Sequence, residues 1–385
     1  MHVALFSDTF APQVNGAANV VRNIARELVK SGHEVTVASV KAPGSLEVDQ
    51  EARTDGYRVV RYASAELPSY KDARVAVPTV LKSVRWGIKS RPDIIHVHTN
   101  FGIGWEGVAL SKVLGVPLIG THHTFLDDYR AYGKMDARVF NPLVRRFVSS
   151  FFNRCQVVTS PSKALEKDLR KSGVTVPVII VPNPVDTALF AEGRNMREQG
   201  REELGIKGRA IIFFGRLGYE KSMDVLISAV VPLLNKRKDL TLIITGDGPD
   251  RIKLQRHVNE LGLVRRIIFT GMLTGTTLAR TVASADIFAS ASLSENQPIS
   301  VIEANAAGLP AVVFDARGMP EIVSETNGRV VPTGNTAAFT AALDSLLTDD
   351  ALRQELSAGA QNASGAFNAD SVVEGLLKQY QRLLP

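Results

Sequence analysis

The run VIIVPNPVD at residues 178–186, followed by AIIFFGRLGYEKS at residues 210–222, sets the architecture. Val178–Val181 is a short β-branched run that reads as a strand, and Pro182-Asn183-Pro184-Val185-Asp186 breaks the pattern. At Ala210–Phe214 a new apolar run starts, and a helix is expected from Ser222. Upstream of the break, strands are expected at His2–Phe6, Glu34–Val40, Arg58–Arg61, Ile94–His98, Pro117–Gly120 and Gln156–Ser160. Helical stretches lie between most of them, such as Ala18–Lys30 with Val20, Val21, Ile24 and Leu28 on one face. Downstream, Leu240–Thr245, Arg266–Thr270, Ile287–Ser290 and Ala311–Phe314 repeat the alternation. Strands separated by helices imply parallel sheets. The chain therefore reads as α/β, with two Rossmann-like, doubly wound domains at residues 1–185 and 186–369. A helix at residues 370–385 is expected to pack back on the first. Ligands of such sheets sit at the carboxyl ends of the strands, so a cleft faced by both domains is the expected site.

Length agrees with this reading, because 385 residues exceed one ordinary core. No apolar run approaches the about 18 residues that span a bilayer. The chain enters a strand-like run at His2 and reaches Asp8, so no leader segment is expected. Cys155 is the single cysteine, so no internal disulfide forms, and a cytoplasmic setting is expected. The formal charge of +6 is unevenly spread. Residues 1–185 hold 24 Lys and Arg against 16 Asp and Glu, whereas the remainder holds 21 against 23. A basic half suits an anionic partner, although solubility alone explains such a surplus equally well.

Chemistry-bearing residues fall where strands end. Asn15 and Gly16 follow the first strand, where glycine lets backbone approach a phosphate; an ordinary turn is the competing reading. Gly215, Arg216 and Lys221 follow the first strand of the second domain. Two fixed cations there suit a diphosphate, against the alternative of solvated surface charges. Glu295 and Glu303 stand eight apart, the first in a loop and the second inside the next helix. Such a pair suits hydroxyl recognition, one carboxylate for a sugar and one for a ribose, or else the acid and base of a hydrolase.

The run Gly215-Arg216-Leu217 to Glu220-Lys221, the spacing Glu295 to Glu303 and Gly246-Asp247-Gly248-Pro249 together resemble the retaining glycosyltransferases of GT-B fold, over the whole chain and in order. Gly32-His33-Glu34-Val35 and the break at residues 182–186 are similar too. The resemblance implies that Arg216 and Lys221 bind the donor diphosphate, that Glu295 holds the sugar ring and that Glu303 holds the ribose. It implies His123 as the sugar contact near the reacting carbon, ahead of His122, and donor contacts at Gly16, Gly215, Gly246, Asn296, Gln297 and Ile299. Three departures stand out: Gln297-Pro298 replaces a common Phe-Gly, Ser222 replaces a glycine after the lysine, and Arg317 replaces a glycine before Gly318-Met319-Pro320-Glu321. More loosely, Thr121-His122-His123-Thr124-Phe125 with Asp127, Asp128 and Tyr129 resembles bacterial diacylglycerol glucosyltransferases and phosphatidylinositol mannosyltransferases. Asn15, Asp127 and Tyr129 then fall on the acceptor side.

The expected reaction moves glucose or mannose from UDP-hexose or GDP-mannose to a membrane glycerolipid, with no cofactor and no metal. Arg216 and Lys221 stand in for a divalent ion, and no Asp-x-Asp element is present. Rival readings are a soluble or polysaccharide acceptor, an epimerase of the same fold, a sugar-nucleotide binder, and a metal hydrolase using His96 and His98, which lacks a spaced third ligand. No aromatic platform interleaved with basic residues suggests nucleic acid. Residues 70–91 carry Lys71, Arg74, Lys82, Arg85, Lys89 and Arg91 against Asp72 alone. A helix after Pro78 is expected to present Lys82, Arg85 and Lys89 on one face, Val80, Val84 and Ile88 on another, and Trp86 at an interface. Such a helix suits the headgroup plane at the inner face of a membrane. A second basic stretch, with Leu143, Phe147 and Phe151 beside Arg145, Arg146 and Arg154, is expected simply to pack on the sheet.

Overall fold

A computed structural model describes residues 1–13, 15–67, 70–77, 79–125 and 137–384. Asp127, Asp128 and Tyr129 lie outside the described residues, as does Pro78. The chain divides into two compact units, Met1–Pro184 with Ala369–Pro385, and Val185–Asn368.

In the first unit the strands are β1 (His2–Ser7), β2 (Glu34–Val40), β3 (Arg58–Tyr62), β4 (Ser64–Leu67), β5 (Tyr70–Ala76), β6 (Ile94–Val97), β7 (Leu118–Thr121), β8 (Val157–Ser160) and β9 (Val178–Ile180). Seven of them form one sheet in the order β3-β2-β1-β6-β7-β8-β9, while β4 and β5 pair as a separate antiparallel hairpin. The neighbours in the seven-stranded sheet run parallel, with Leu5 opposite Val37 and His96 opposite Ile119. Both faces are covered by helices, so β1 is buried along its length and its sequence is a continuous apolar run rather than an alternating one. The helices are α1 (Gly16–Lys30), α2 (Ser45–Thr54), α3 (Val80–Ser90), α4 (Gly102–Leu114), α5 (Ala137–Phe152) and α6 (Lys163–Lys171). The Asn15 side chain caps α1 by accepting from the Ala18 N–H, and the helix buries Val20, Val21, Ile24 and Leu28. After it, Gly32 takes a left-handed turn, φ 80°, that returns the chain to the sheet.

The second unit holds α7 (Thr187–Gly193), α8 (Arg197–Glu203), α9 (Met223–Lys236), α10 (Arg251–Glu260), α11 (Gly275–Ala283), α12 (Ile299–Ala306), α13 (Thr336–Thr348) and α14 (Asp350–Ser364). Its strands β10 (Ala210–Phe214), β11 (Thr241–Thr245), β12 (Ile267–Gly271), β13 (Ile287–Ser290), β14 (Ala311–Phe314) and β15 (Gly328–Val331) form a parallel sheet in the order β12-β11-β10-β13-β14-β15. The order reverses between β10 and β13 here, and between β1 and β6 in the first unit. Those two reversals are the topological switch points where such sheets bind ligands.

The hairpin of β4 and β5, and the edge strand β15, have no counterpart among the expected strands. Gly328-Arg329-Val330-Val331 is short and follows the polar run Ser324–Asn327, so periodicity alone gives it little contrast. The last helix, α15 (Ala369–Leu383), belongs to the first unit. It buries Val372, Val373, Leu376 and Tyr380, and the Tyr380 hydroxyl lies 2.7 Å from His96 Nδ1. His96 Nε2 lies 2.6 Å from Thr121 Oγ1, which in turn meets Thr159 Oγ1 at 2.5 Å. This buried polar chain ties the returning helix to β6, β7 and β8.

Tyr380→Phe leaves His96 Nδ1 buried without its partner. The substitution is expected to lower unfolding free energy by about 1–3 kcal/mol, measured by chemical denaturation. Unchanged stability would show that the tether contributes nothing to the seating of α15.

Candidate functional site

At the switch point of the second unit, β10 ends at Phe214 and the chain passes through Gly215 and Arg216 into a 3-10 turn at Tyr219–Lys221. The loop after β11 braces this segment. Gly215 N–H donates to Thr245 O at 3.0 Å, Leu217 N–H to Asp247 O at 2.8 Å, and Asp250 N–H to Leu217 O at 3.0 Å. A β-carbon on Gly246, whose φ is 135°, would overlap the Gly215 carbonyl oxygen, so only glycine permits this approach. From the other side the chain after β13 holds the turn: Leu293 N–H and Ser292 Oγ both donate to Glu220 O, each at 3.2 Å.

The cations stand on that frame. Lys221 Nζ contacts Glu295 Oε1 directly, and both side chains are mostly buried. Arg216 Nη1 lies 3.6 Å from Glu220 Oε1. The backbone of Glu295 and Asn296 is fixed in turn by Gly318, whose N–H donates to Glu295 O at 3.0 Å; a β-carbon there would overlap Asn296 O. Gln297 is buried and Pro298 is the N-cap of α12, so the N–H groups of the first turn, at Ile299 and Ser300, point out of the helix end. The two departures at glycine positions now have a physical reading. Ser222 has φ 48° and Arg317 φ 50°, so the backbone keeps the left-handed shape that glycine adopts freely. For an ordinary side chain this costs on the order of 1–2 kcal/mol. Arg317 partly offsets it by donating from Nη1 to Ser294 Oγ at 2.9 Å.

Glu303, on α12, is half-buried. Burial, and then the charge of Asp186, push its carboxyl up to about 8. Asp186 also caps α7, accepting from the Leu189 N–H at 3.1 Å. The sequence reading saw Asp186 only as part of a break. Nothing in its spacing pointed to Glu303, because the two meet only through the fold.

The first unit gathers four histidines at the ends of β6 and β7. His98 Nδ1 lies 3.2 Å from His123 Nε2, and the rings of His96 and His98 are 4.0 Å apart. His98 and His122 are buried, each with an Nε2 that has no hydrogen-bond partner among the described residues. Burial makes protonation unfavourable. His96 and His122 are held down to about 3 and His123 to about 4, and His98 lies well below the usual imidazole range. All four are neutral at physiological pH. The chelating pair weighed for His96 and His98 does not form. Both His96 nitrogens are engaged by Tyr380 and Thr121, and His98 turns to His123 instead. Among the described residues no group of three His, Cys, Asp or Glu is placed to hold a metal ion. Asn15 and Gly16 are exposed at the start of α1, but the Asn15 side chain is already engaged, by Ala18 N–H and by Thr9 Oγ1.

Helix α3 forms as expected, with a different division of faces. Lys82, Arg85 and Lys89 are exposed together with Leu81 and Ile88, which are 74% and 56% exposed. Ile88 thus shares the outer face with the basic residues rather than lining an inner one. Trp86 is not at an interface: it stacks on Phe6 at 6.0 Å and its Nε1 donates to Tyr62 Oη at 3.2 Å. Lys82 reaches back to the Arg61 carbonyl and lies 4.8 Å from the Tyr62 ring. On α5 Phe151 and Val148 are buried, while Leu143 and Phe147 remain exposed, the latter 6.2 Å from Phe101. No described helix is long and apolar enough to cross a membrane.

Family models cover both halves of the chain. Residues 14–189 match the family described as Glycosyltransferase Family 4, and residues 196–363 match Glycosyl transferases group 1. The alpha-monoglucosyldiacylglycerol synthase of Streptococcus pneumoniae is 28% identical over 84% of this chain and 74% of its own. A GDP-mannose-dependent alpha-mannosyltransferase of Mycobacterium tuberculosis is 30% identical over 87% of this chain and 84% of its own. Among solved structures, Anabaena HepE in complex with UDP superposes with a TM-score of 0.81 over the full length of both chains, at 20% identity.

The raised Glu303 carboxyl gives a stability signature. The folded state holds this proton to about pH 8, whereas an unfolded glutamate releases it near 4.5. Ionisation therefore penalises the folded state increasingly as pH rises through that window. The unfolding temperature of Glu303→Gln, relative to wild type, is expected to rise steadily from about pH 5 to about pH 9 in thermal scans. A difference that does not change with pH would mean that the carboxyl titrates normally.

Proposed function

From the premise that the chain belongs to the GT-B glycosyltransferases, we propose that it is a retaining hexosyltransferase that takes glucose or mannose from a nucleotide-sugar to a membrane glycerolipid. One observation carries the donor assignment: Arg216, Lys221 and Glu295 converge at the switch point between β10 and β13. Two cations on a backbone fixed by neighbouring loops suit a diphosphate whose charge grows as the glycosidic bond breaks. Glu295, beside Lys221, is placed to accept from sugar hydroxyls next to that diphosphate. Glu303 is assigned to the ribose, whose two hydroxyl donors would favour its carboxylate over the protonated form that burial favours. His123 is assigned to the sugar, and its neutrality fits a hydrogen-bonding role rather than a cationic one. Among the described residues none is an evident covalent nucleophile. The acceptor is proposed to attack the face the diphosphate leaves, through an oxocarbenium-like transition state whose charge the departing phosphate balances. Arg216 and Lys221 do the work that a divalent ion does elsewhere, so turnover is expected to persist in excess EDTA.

The glycerolipid acceptor rests on the activities of the relatives and on α3. An exposed helix face that mixes Leu81 and Ile88 with Lys82, Arg85 and Lys89 suits an anionic headgroup layer, and the basic surplus of residues 1–185 points the same way. The protein is therefore proposed to work as a peripheral protein on the cytoplasmic face of a membrane.

A panel of nucleotide-sugars with a crude lipid extract, read by release of nucleoside diphosphate, tests the reaction. Release that requires acceptor excludes an epimerase and a mere binder. Arg216→Ala and Lys221→Ala are each expected to lower turnover by on the order of 10²–10³. Near-normal rates in the double variant would overturn the donor site.

The acceptor side has a separate test. Sedimentation with anionic liposomes is expected at low salt and should be lost at high salt. Changing Lys82, Arg85 and Lys89 to Ser removes about 3 kcal/mol of attraction, on the order of a hundredfold in partition. Binding indifferent to lipid charge would make a soluble acceptor the leading reading.

A further inference from the structure

The proposed donor site carries its own counter-charges. Arg216 and Lys221 carry two positive charges, and each has a carboxylate at hand: Glu220 at 3.6 Å from Arg216, and Glu295 in contact with Lys221. Glu295 has a further use in the proposed reaction, since a bound sugar offers it hydroxyl donors. Glu220 has none. It is nonetheless held in position. Its carbonyl oxygen is fixed by Leu293 N–H and Ser292 Oγ. Its carboxylate lies over Gly218, on the side of the turn that faces Arg216.

Resting on the donor-site reading above, we infer that Glu220 is a release residue: a built-in anion that competes with the nucleoside diphosphate for Arg216 and returns to it as product leaves. The chemistry of the product requires such a competitor more than that of the donor does. In the donor the terminal phosphate is esterified to the sugar. In the free diphosphate it gains a second ionisation, with a pKa of about 6, and binds cations more strongly near neutral pH. A site that held the two cations without internal partners would be stalled by its own product. An ion pair at 3.6 Å with both side chains partly open to solvent is weak enough to be exchanged in each cycle.

The sign of the effect separates this role from a structural one. Titration calorimetry of the full-length protein with UDP and with GDP, and product-inhibition constants measured during turnover, are the readouts. Glu220→Gln keeps the shape and removes the competing charge, so the diphosphate is expected to bind about two- to fivefold more tightly. Product inhibition should strengthen in step, and Glu220→Ala should shift the same way. In an Arg216→Ala background the Glu220 substitution should have no further effect, because the two act through one contact. Unchanged or weaker diphosphate binding in Glu220→Gln, with Arg216→Ala still disrupting it, would overturn the release role and leave the donor site standing. Wild-type diphosphate affinity in Arg216→Ala would instead remove the donor site, and the release role with it.

Discussion

A cation can be held still at the end of a buried strand only if the backbone beneath it cannot move. In the second unit that constraint is met by direct backbone contact among successive strand-end loops. Gly215 donates to the end of β11 and Leu217 to the loop after it, and the turn carrying Lys221 accepts from Leu293 and Ser292 after β13. Glu295 is pinned by Gly318 after β14. Four loops from β10, β11, β13 and β14 thus share one hydrogen-bonded frame, and the charged side chains project from it. The glycines at 246 and 318 belong to this frame because any side chain would push two loops apart. Preorganisation of charge, which the proposed chemistry needs, follows from that backbone contact and not from the charges themselves.

The two units treat their polar groups in opposite ways. The second keeps ionised groups in pairs, Lys221 with Glu295 mostly buried and Arg216 with Glu220 partly open to solvent. The first holds its imidazoles neutral by burial, and ties one of them, His96, into a hydrogen-bonded chain from Tyr380 on α15 through Thr121 to Thr159. A buried neutral cluster cannot answer to pH in the physiological range, so whatever His98 and His123 contribute is positional.

Much of the frame was legible from residue order. Buried parallel strands must be continuous apolar runs, so Ala210–Phe214, Ile287–Ser290 and Ala311–Phe314 were readable to the residue. The pairing of Lys221 with Glu295 was not: the residues are 74 apart, and only the adjacency of β10 and β13 brings them together. The same limit hid the influence of Asp186 on Glu303, and the turn of His98 toward His123 in place of pairing with His96 for a metal. The substitutions at Ser222 and Arg317 looked like departures from a pattern of glycines. The fold shows that the backbone demand persists, since both keep a positive φ. Sequence gives the residue type; whether the conformation changed with it is a property of the packed loop.

Helix α3 shows why a face assignment needs the partner surface as well as the helical period. Periodicity alone groups Val84 with Ile88 and separates them from Lys82, Arg85 and Lys89. What decides the inner face, however, is the sheet beneath. Phe6 and Tyr62 offer a stacking surface and a hydroxyl acceptor that only Trp86 matches, and Gly87 lets the helix approach α4 so closely that a β-carbon would overlap Leu110. Once Trp86 and Gly87 face inward, Leu81, Arg85 and Ile88, spaced four and three apart, must face outward. A helix turned to water alone has no reason to keep two large aliphatic side chains on its outermost line among its lysines and arginines. A helix that rests on a headgroup layer has a use for both. The rotation that sets this face follows from one aromatic stack and one glycine, and the proposed docking surface follows from the rotation.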